Sequence, residues 1–186
     1  MKQRITALLP KVYGQLFNIM AIFNKKRAAK FAFKIFCTIR KGRVLPHQSA
    51  FLNAAKLTKE QVGEHRIQTY QWQGSGPTVL LLHGWESNTF RWRNLIQKLQ
   101  EKDFNIIALD APAHGYSSGT WLHVPLYATA SRHMMEKHQP NYIVAHSVGG
   151  MTTLFDHFQN PESSAEKIVT IGAPAEFTDF MDHFQG

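Results

Sequence analysis

"YIVAHSVGG" occupies residues 142–150. An apolar run that reads as a buried strand leads straight into a histidine, a serine and two glycines. A serine hydroxyl is a weak nucleophile at neutral pH; to act as one it needs a base nearby and must project into a cleft. A sharp strand-to-helix turn projects it well, but crowds the backbone and asks for small residues on both sides. Here Ala145 stands two before Ser147 and Gly149 two after it. The helix that follows would aim its N-terminal N–H groups at the place where negative charge develops. Serine is also a preferred helix N-cap, so on this stretch alone the two readings stand side by side.

Working outward, short apolar runs recur. "TVLLLHGW" (78–85) ends in His83, Gly84 and Trp85, "FNIIALD" (104–110) ends in Asp110, and "KIVTIGAP" (167–174) follows the serine. Between them lie stretches with helical spacing. Trp92, Leu95, Ile96 and Leu99 share one face, residues from about 122 to 138 read as a second helix, and "VGGMTTLFDHFQ" as a third. "EHRIQTYQWQ" (64–73) alternates and predicts a strand exposed on one side. Apolar runs alternating with helices predict an α/β fold: a mostly parallel sheet with helices on both faces. In such sheets the chemistry gathers beyond the carboxyl ends of the strands, where His83, Asp110 and Ser147 all fall.

The chain of 186 residues, 44% hydrophobic and 18% charged, suits one domain with a real core. No internal repeat or low-complexity tract is present. The single cysteine, Cys37, allows no intrachain disulfide and permits a reducing compartment. The net charge of +8 hides an asymmetry: residues 1–59 carry thirteen Lys or Arg and no acid, whereas the remainder carries eight bases and thirteen acids. Basic character therefore belongs to the N-terminal third, which argues against a nucleic-acid-binding body.

That third reads as helical. Val12, Leu16, Ile19 and Phe23 recur at helical spacing, as do Ala28, Phe31, Ile35 and Phe36, which predicts two helices separated near "NKKR" (24–27). "VYGQLFNIMAIF" (12–23) is apolar, but at twelve residues it is too short to span a bilayer, and no clear signal-peptide cleavage site follows. The basic helices would either pack on the domain with their lysines solvated, the favoured reading, or make peripheral contact with an anionic membrane surface. "RKGRVLPHQ" (40–48) reads as a linker and "SAFLNAA" as a further helical turn. The expected division is residues 1–60 as a basic helical extension and 61–186 as the α/β part, in a cytoplasmic setting with membrane association as an option.

Taken together, the elbow at Ser147, "LLLHGW" (80–85) and "DAPAHGYSSG" (110–119) give the chain, over about residues 64–175, a resemblance to the α/β-hydrolase family. The family elbow is G-x-S-x-G; alanine replaces the first glycine here and keeps the smallness. The resemblance implies a serine hydrolase, esterase- or lipase-like, acting on a small ester or similar acyl substrate. It makes Ser147 the nucleophile and the backbone N–H groups of Trp85 and Val148 the oxyanion hole. His83, Gly84, Ala145 and Gly149 would support the turns. Serine at 147 argues against the epoxide-hydrolase and dehalogenase branches, which place aspartate there. No metal or organic cofactor is implied; His133 and His138, five apart with no carboxylate motif between them, do not make a zinc site.

The family's triad runs serine, then acid, then histidine along the chain. After Ser147 this sequence holds one more strand and twelve further residues, so the acid and histidine are expected beyond residue 186, on the order of 60 residues further on. His183 with Asp179 or Asp182 has the right order, but "EFTDFMDHF" reads better as a helix start. His83 is expected to stabilise a turn, His146 to point away from the serine, and Asp110 to be structural. His114, Tyr116 and Trp121 are either pocket-lining or loop residues. The expectation is thus an α/β-hydrolase fold lacking its C-terminal part and inactive as given, poorly stable because a sheet edge is left open. The alternative is a non-catalytic truncated hydrolase or pseudoenzyme that binds a small ligand, a membrane surface or a protein partner.

Overall fold

Asn24 divides the first helical stretch. In the computed structural model, which describes residues 2–162 and 165–174 with side chains from residue 10 onward, α1 runs Lys2–Phe36 but Asn24 has extended backbone (φ −157°, ψ 97°). Its side-chain oxygen accepts the Arg27 N–H at 3.0 Å, so Asn24 caps the second helical segment. The Phe17 and Phe31 rings meet edge-on, centroids 5.9 Å apart, and Tyr13 stacks on Phe17 at 6.1 Å. On a straight helix Phe17 and Phe31 would be separated by roughly 21 Å. The chain therefore doubles back at Asn24 into a helical hairpin. This hairpin belongs to a first unit ending at Thr38; a second unit begins at Ile39.

The second unit contains α2 (Pro46–Asn53), β1 (Lys56–Val62), β2 (His65–Trp72) and β3 (Thr78–Leu82). A 3-10 turn (Thr89–Trp92) leads into α3 (Arg93–Gln100) and β4 (Asn105–Leu109). Then come α4 (Val124–His138), β5 (Tyr142–His146), α5 (Val148–Gln159) and β6 (Lys167–Ile171). The six strands form one mixed sheet in the order β1-β2-β4-β3-β5-β6. β1 and β2 pair antiparallel, as do β2 and β4; β4, β3, β5 and β6 run parallel.

Strand residues alternate between two cores. Leu80, Leu82, Ile107, Leu109, Ile143 and Ala145 pack against Tyr127, Ala130, Met134 and Met135 of α4. Val79, Leu81, Ile106 and Ala108 pack on the other side, against Leu52 of α2, Trp92 and Ile96 of α3. Helices thus cover both faces, and β3 and β4, buried on both sides, need the unbroken apolar runs that they have.

Two readings of the sheet are corrected. β2 is not exposed on one side: Ile67, Gln68, Thr69 and Tyr70 are all buried, because Ile67 packs into one core and Tyr70 into the other. β1 was not expected as a strand at all; "KLTKEQV" is an exposed edge, joined to β2 by a two-residue turn in which Gly63 has φ 54°. Among the described strands β6 lies at the opposite end of the order, with Val169 and Ile171 exposed. Among the described residues, no helix is long and apolar enough to cross a membrane.

Candidate active site

β3 and β5 are hydrogen-bonded neighbours, with Leu82 paired to Ala145. The residues that follow each strand, 83–85 and 147–149, therefore leave the sheet side by side at its carboxyl edge. Gly84 lies directly against the serine: a Cβ placed there would be 3.1 Å from the Ser147 Cβ and 2.7 Å from His146 Nδ1. A Cβ on Gly149 would come within 2.5 Å of the Leu82 carbonyl oxygen, so the first turn of α5 packs on the end of β3 with no room for a side chain. Ala145 is completely buried.

Ser147 itself has φ 51° and ψ −119°. An L-residue is strained there by roughly 1–3 kcal/mol. A capping serine would have extended backbone and accept a hydrogen bond from the first turn; Ser147 has neither the backbone nor the cap bond. The turn is held by its main chain: the Ser147 N–H donates to the Ile171 carbonyl at 2.9 Å, and its own carbonyl accepts the Met151 N–H at 3.0 Å. Val148 is the first residue of α5, where an N–H has no acceptor within the helix. The predicted residues His83, Gly84, Trp85, Ala145, Ser147, Val148 and Gly149 thus all converge on the carboxyl ends of β3 and β5.

Two of the nearby histidines are held at both ring nitrogens. His83 is fully buried; its Nε2 accepts the Ala111 N–H at 2.9 Å, which leaves Nδ1–H to donate to the Gly84 carbonyl at 2.8 Å. Burial holds its pKa below the ordinary value. His114 follows the same pattern: Nε2 accepts the Glu86 N–H at 3.0 Å and Nδ1–H donates to the Pro112 carbonyl at 2.9 Å. Burial, with His83 beside it, pushes its pKa down to about 3. The two rings meet edge-on at 5.2 Å, and Trp85 packs against His114 with centroids 6.3 Å apart. His114 therefore belongs to the buried loop support. His146 turns its Nε2 to the Arg91 guanidinium at 2.7 Å; burial and then Arg91 lower its pKa. His183, Asp179 and Asp182 lie outside the described residues.

Asp110 is the anchor of the neighbouring loop. Its buried carboxylate accepts the Tyr70 hydroxyl at 2.7 Å and the N–H groups of Thr89 and Tyr116, each at 2.9 Å. Ser117 Oγ donates to its main-chain carbonyl at 2.6 Å. Gly115 (φ 47°) passes so close that a Cβ would overlap the carboxylate. Burial and the Asp110 charge raise the Tyr70 hydroxyl far above its usual pKa. Sequence reasoning assigned Asp110 a structural part but missed Tyr70, for which a strand tyrosine gives no local signal. Tyr116 is exposed, while the Trp121 ring lies against His123 at 4.9 Å. A cavity of about 220 Å³ lies elsewhere, between the β1–β2 turn and α4, lined by residues that include Val62, His65, Pro112 and Leu126. Among the described residues, no group of His, Cys, Asp or Glu is placed to hold a metal.

A serine on a left-handed turn after an inner parallel strand, facing a His-Gly turn from the adjacent strand, defines an α/β protein with a strand-end site. Residues 77–185 match the model of the alpha/beta hydrolase fold, and the chain belongs to this family. It is 29% identical over 110 residues to a pimeloyl-[acyl-carrier protein] methyl ester esterase of Vibrio vulnificus, covering 58% of this chain and 41% of that protein. It is 31% identical over 133 residues to a serine hydrolase-like protein of Danio rerio, covering 66% of this chain and 40% of that protein. The chain thus spans about two fifths of the length of these curated relatives. The crystal structure of an epoxide hydrolase from Vigna radiata superposes with a TM-score of 0.62 at 18% identity, covering 73% of this chain and 45% of that one; this likeness is one of fold.

Proposed function

We propose that this chain carries the nucleophile and oxyanion pocket of a serine hydrolase acting on an ester or similar acyl substrate. The observation that carries the reading is the Ser147 backbone at φ 51° and ψ −119°, strained and without a cap bond at the mouth of the sheet. Strain of this kind persists where the surroundings over-determine it, and it concentrates at functional sites. Ser147 Oγ attacks the acyl carbonyl carbon and yields its proton to a base. The N–H groups of Trp85 and Val148 receive the oxyanion, the alcohol leaves with a proton, and water then releases the acyl group from Oγ. The esterase and serine hydrolase-like relatives support acyl chemistry. His83 and His114 have both ring nitrogens engaged, and the His146 Nε2 accepts from Arg91, which leaves its Nδ1 protonated; the scheme therefore takes its base from outside these three histidines.

Those engaged imidazoles also favour a second reading, a non-catalytic relative that binds a small acyl ligand. The two separate in one experiment. The whole protein is treated with a fluorophosphonate probe and assayed on p-nitrophenyl esters of graded acyl length. The serine hydrolase labels at Ser147 and turns over ester, and Ser147→Ala lowers the rate by about 10⁴-fold or more. A folded sample that binds acyl ligand in calorimetry, yet neither labels nor hydrolyses, sinks the first reading and supports the second.

A further inference from the structure

The α1 hairpin carries the most one-sided charge in the chain. From Lys11 to Thr38 it holds Lys11, Lys25, Lys26, Arg27, Lys30 and Lys34 and no acid. The bend at Asn24 sets Ile22 and Phe23 at its tip, 80% and 84% exposed, with Ile19 one turn back at 55%. The residues that leave the bend, Lys25, Lys26 and Arg27, are exposed as well. Two large apolar side chains thus stand in water beside three cations, on a bend fixed by the Asn24 cap and by Phe17 packed on Phe31.

We propose that this tip docks on an anionic lipid bilayer. Ile22 and Phe23 enter the boundary between headgroups and acyl chains, and Lys25, Lys26 and Arg27 bind the lipid phosphates. Both halves of the tip suit this occupant. A nucleic-acid duplex would match the cations but offers no apolar phase to Ile22 and Phe23. An apolar protein patch would take those two side chains and leave the cations unmatched. The apolar segment 12–23 makes about 18 Å of helix, against a hydrocarbon core of about 30 Å, so the tip enters one face without crossing. The preset bend reduces the ordering cost of docking. The proposal does not depend on the chemistry at Ser147.

Vesicle flotation of the whole protein tests it, with phosphatidylcholine vesicles compared to vesicles that also contain phosphatidylglycerol. Binding to the anionic vesicles is expected to be at least about tenfold tighter and to weaken with added salt. Replacing Lys25, Lys26 and Arg27 together by Gln should weaken it about a hundredfold, near fivefold per charge. Ile22→Ser with Phe23→Ser should cost at least about tenfold on the same vesicles. Because these side chains are exposed, both variants should melt like the parent protein. Phe23→Trp adds a direct readout: its emission should shift to the blue with anionic vesicles only. Failure to float with anionic vesicles, equal binding to both compositions, or indifference to the Ile22 and Phe23 changes overturns the proposal. So does a dimer in vesicle-free solution that those two changes split, which would assign the tip to self-association.

Discussion

The Tyr70 hydroxyl donates to the Asp110 carboxylate at 2.7 Å, and both side chains are buried. The bond joins the interior of β2 to the loop after β4, where Asp110 also accepts the Thr89 and Tyr116 N–H groups. Tyr70→Phe removes one donor and should destabilise the fold by about 1.5–3 kcal/mol. Asp110→Ala strands three donors, two of them buried, and should cost roughly 3–5 kcal/mol. Urea denaturation ranks the two; an alanine variant no worse than the phenylalanine variant would contradict the anchoring part given to Asp110.

Acid should weaken the protein well before its carboxylates titrate. Imidazoles of the unfolded chain take up protons near pH 6.5, about their ordinary pKa. In the folded chain burial lowers His83, and it lowers His114 to about 3. The unfolded state therefore binds more protons in the window between. This contribution is complete above about pH 6.5 and declines as pH falls, by up to ~1.4 kcal/mol per pH unit for each histidine. Urea midpoints taken from about pH 7.5 to 5 should fall steadily. His114→Gln should be less stable at neutral pH but show a shallower slope.

Gly149 is required by contact. A Cβ there would lie 2.5 Å from the Leu82 carbonyl oxygen and 2.8 Å from that of His83, both main-chain atoms that cannot step aside. Gly149→Ala should push α5 off the end of β3 and destabilise by about 1–3 kcal/mol. Thermal melting measures this; a variant that melts with the parent would show that the helix and strand are less closely seated.

The strain at Ser147 predicts opposite signs for stability and function. Glycine adopts positive φ freely, so Ser147→Gly should be more stable than Ser147→Ala by about 1 kcal/mol, after allowance for the flexibility that glycine adds to the unfolded chain. Both variants should lose fluorophosphonate labelling. Equal stability of the two would mean that the turn is relaxed.

What could be read from the sequence followed burial. β3 and β4 are covered on both faces, and only unbroken apolar runs satisfy that demand, so their positions were legible. β1 lies at the edge with Lys56, Thr58 and Lys59 in water, and nothing distinguishes such residues from a loop. β2 read as half-exposed because Gln68 and Thr69 are polar. Their partners are remote in sequence: the Ser117 hydroxyl takes the Gln68 N–H, and the Thr58 carbonyl takes both side chains. His114 was ambiguous for the same reason, since its burial depends on the Glu86 N–H 28 positions away. At the site, the small residues around Ser147 were visible in the sequence. The backbone angle that separates a cap from an elbow was not, because it is imposed by β3, β6 and α5 together.

The Ser147 N–H bonded to the Ile171 carbonyl fastens the serine to the rim of the sheet as well as to its own helix. Fraying of that rim and slackening of the serine then become one motion. Displacing β6 would thus release the main chain of the serine without touching its side chain.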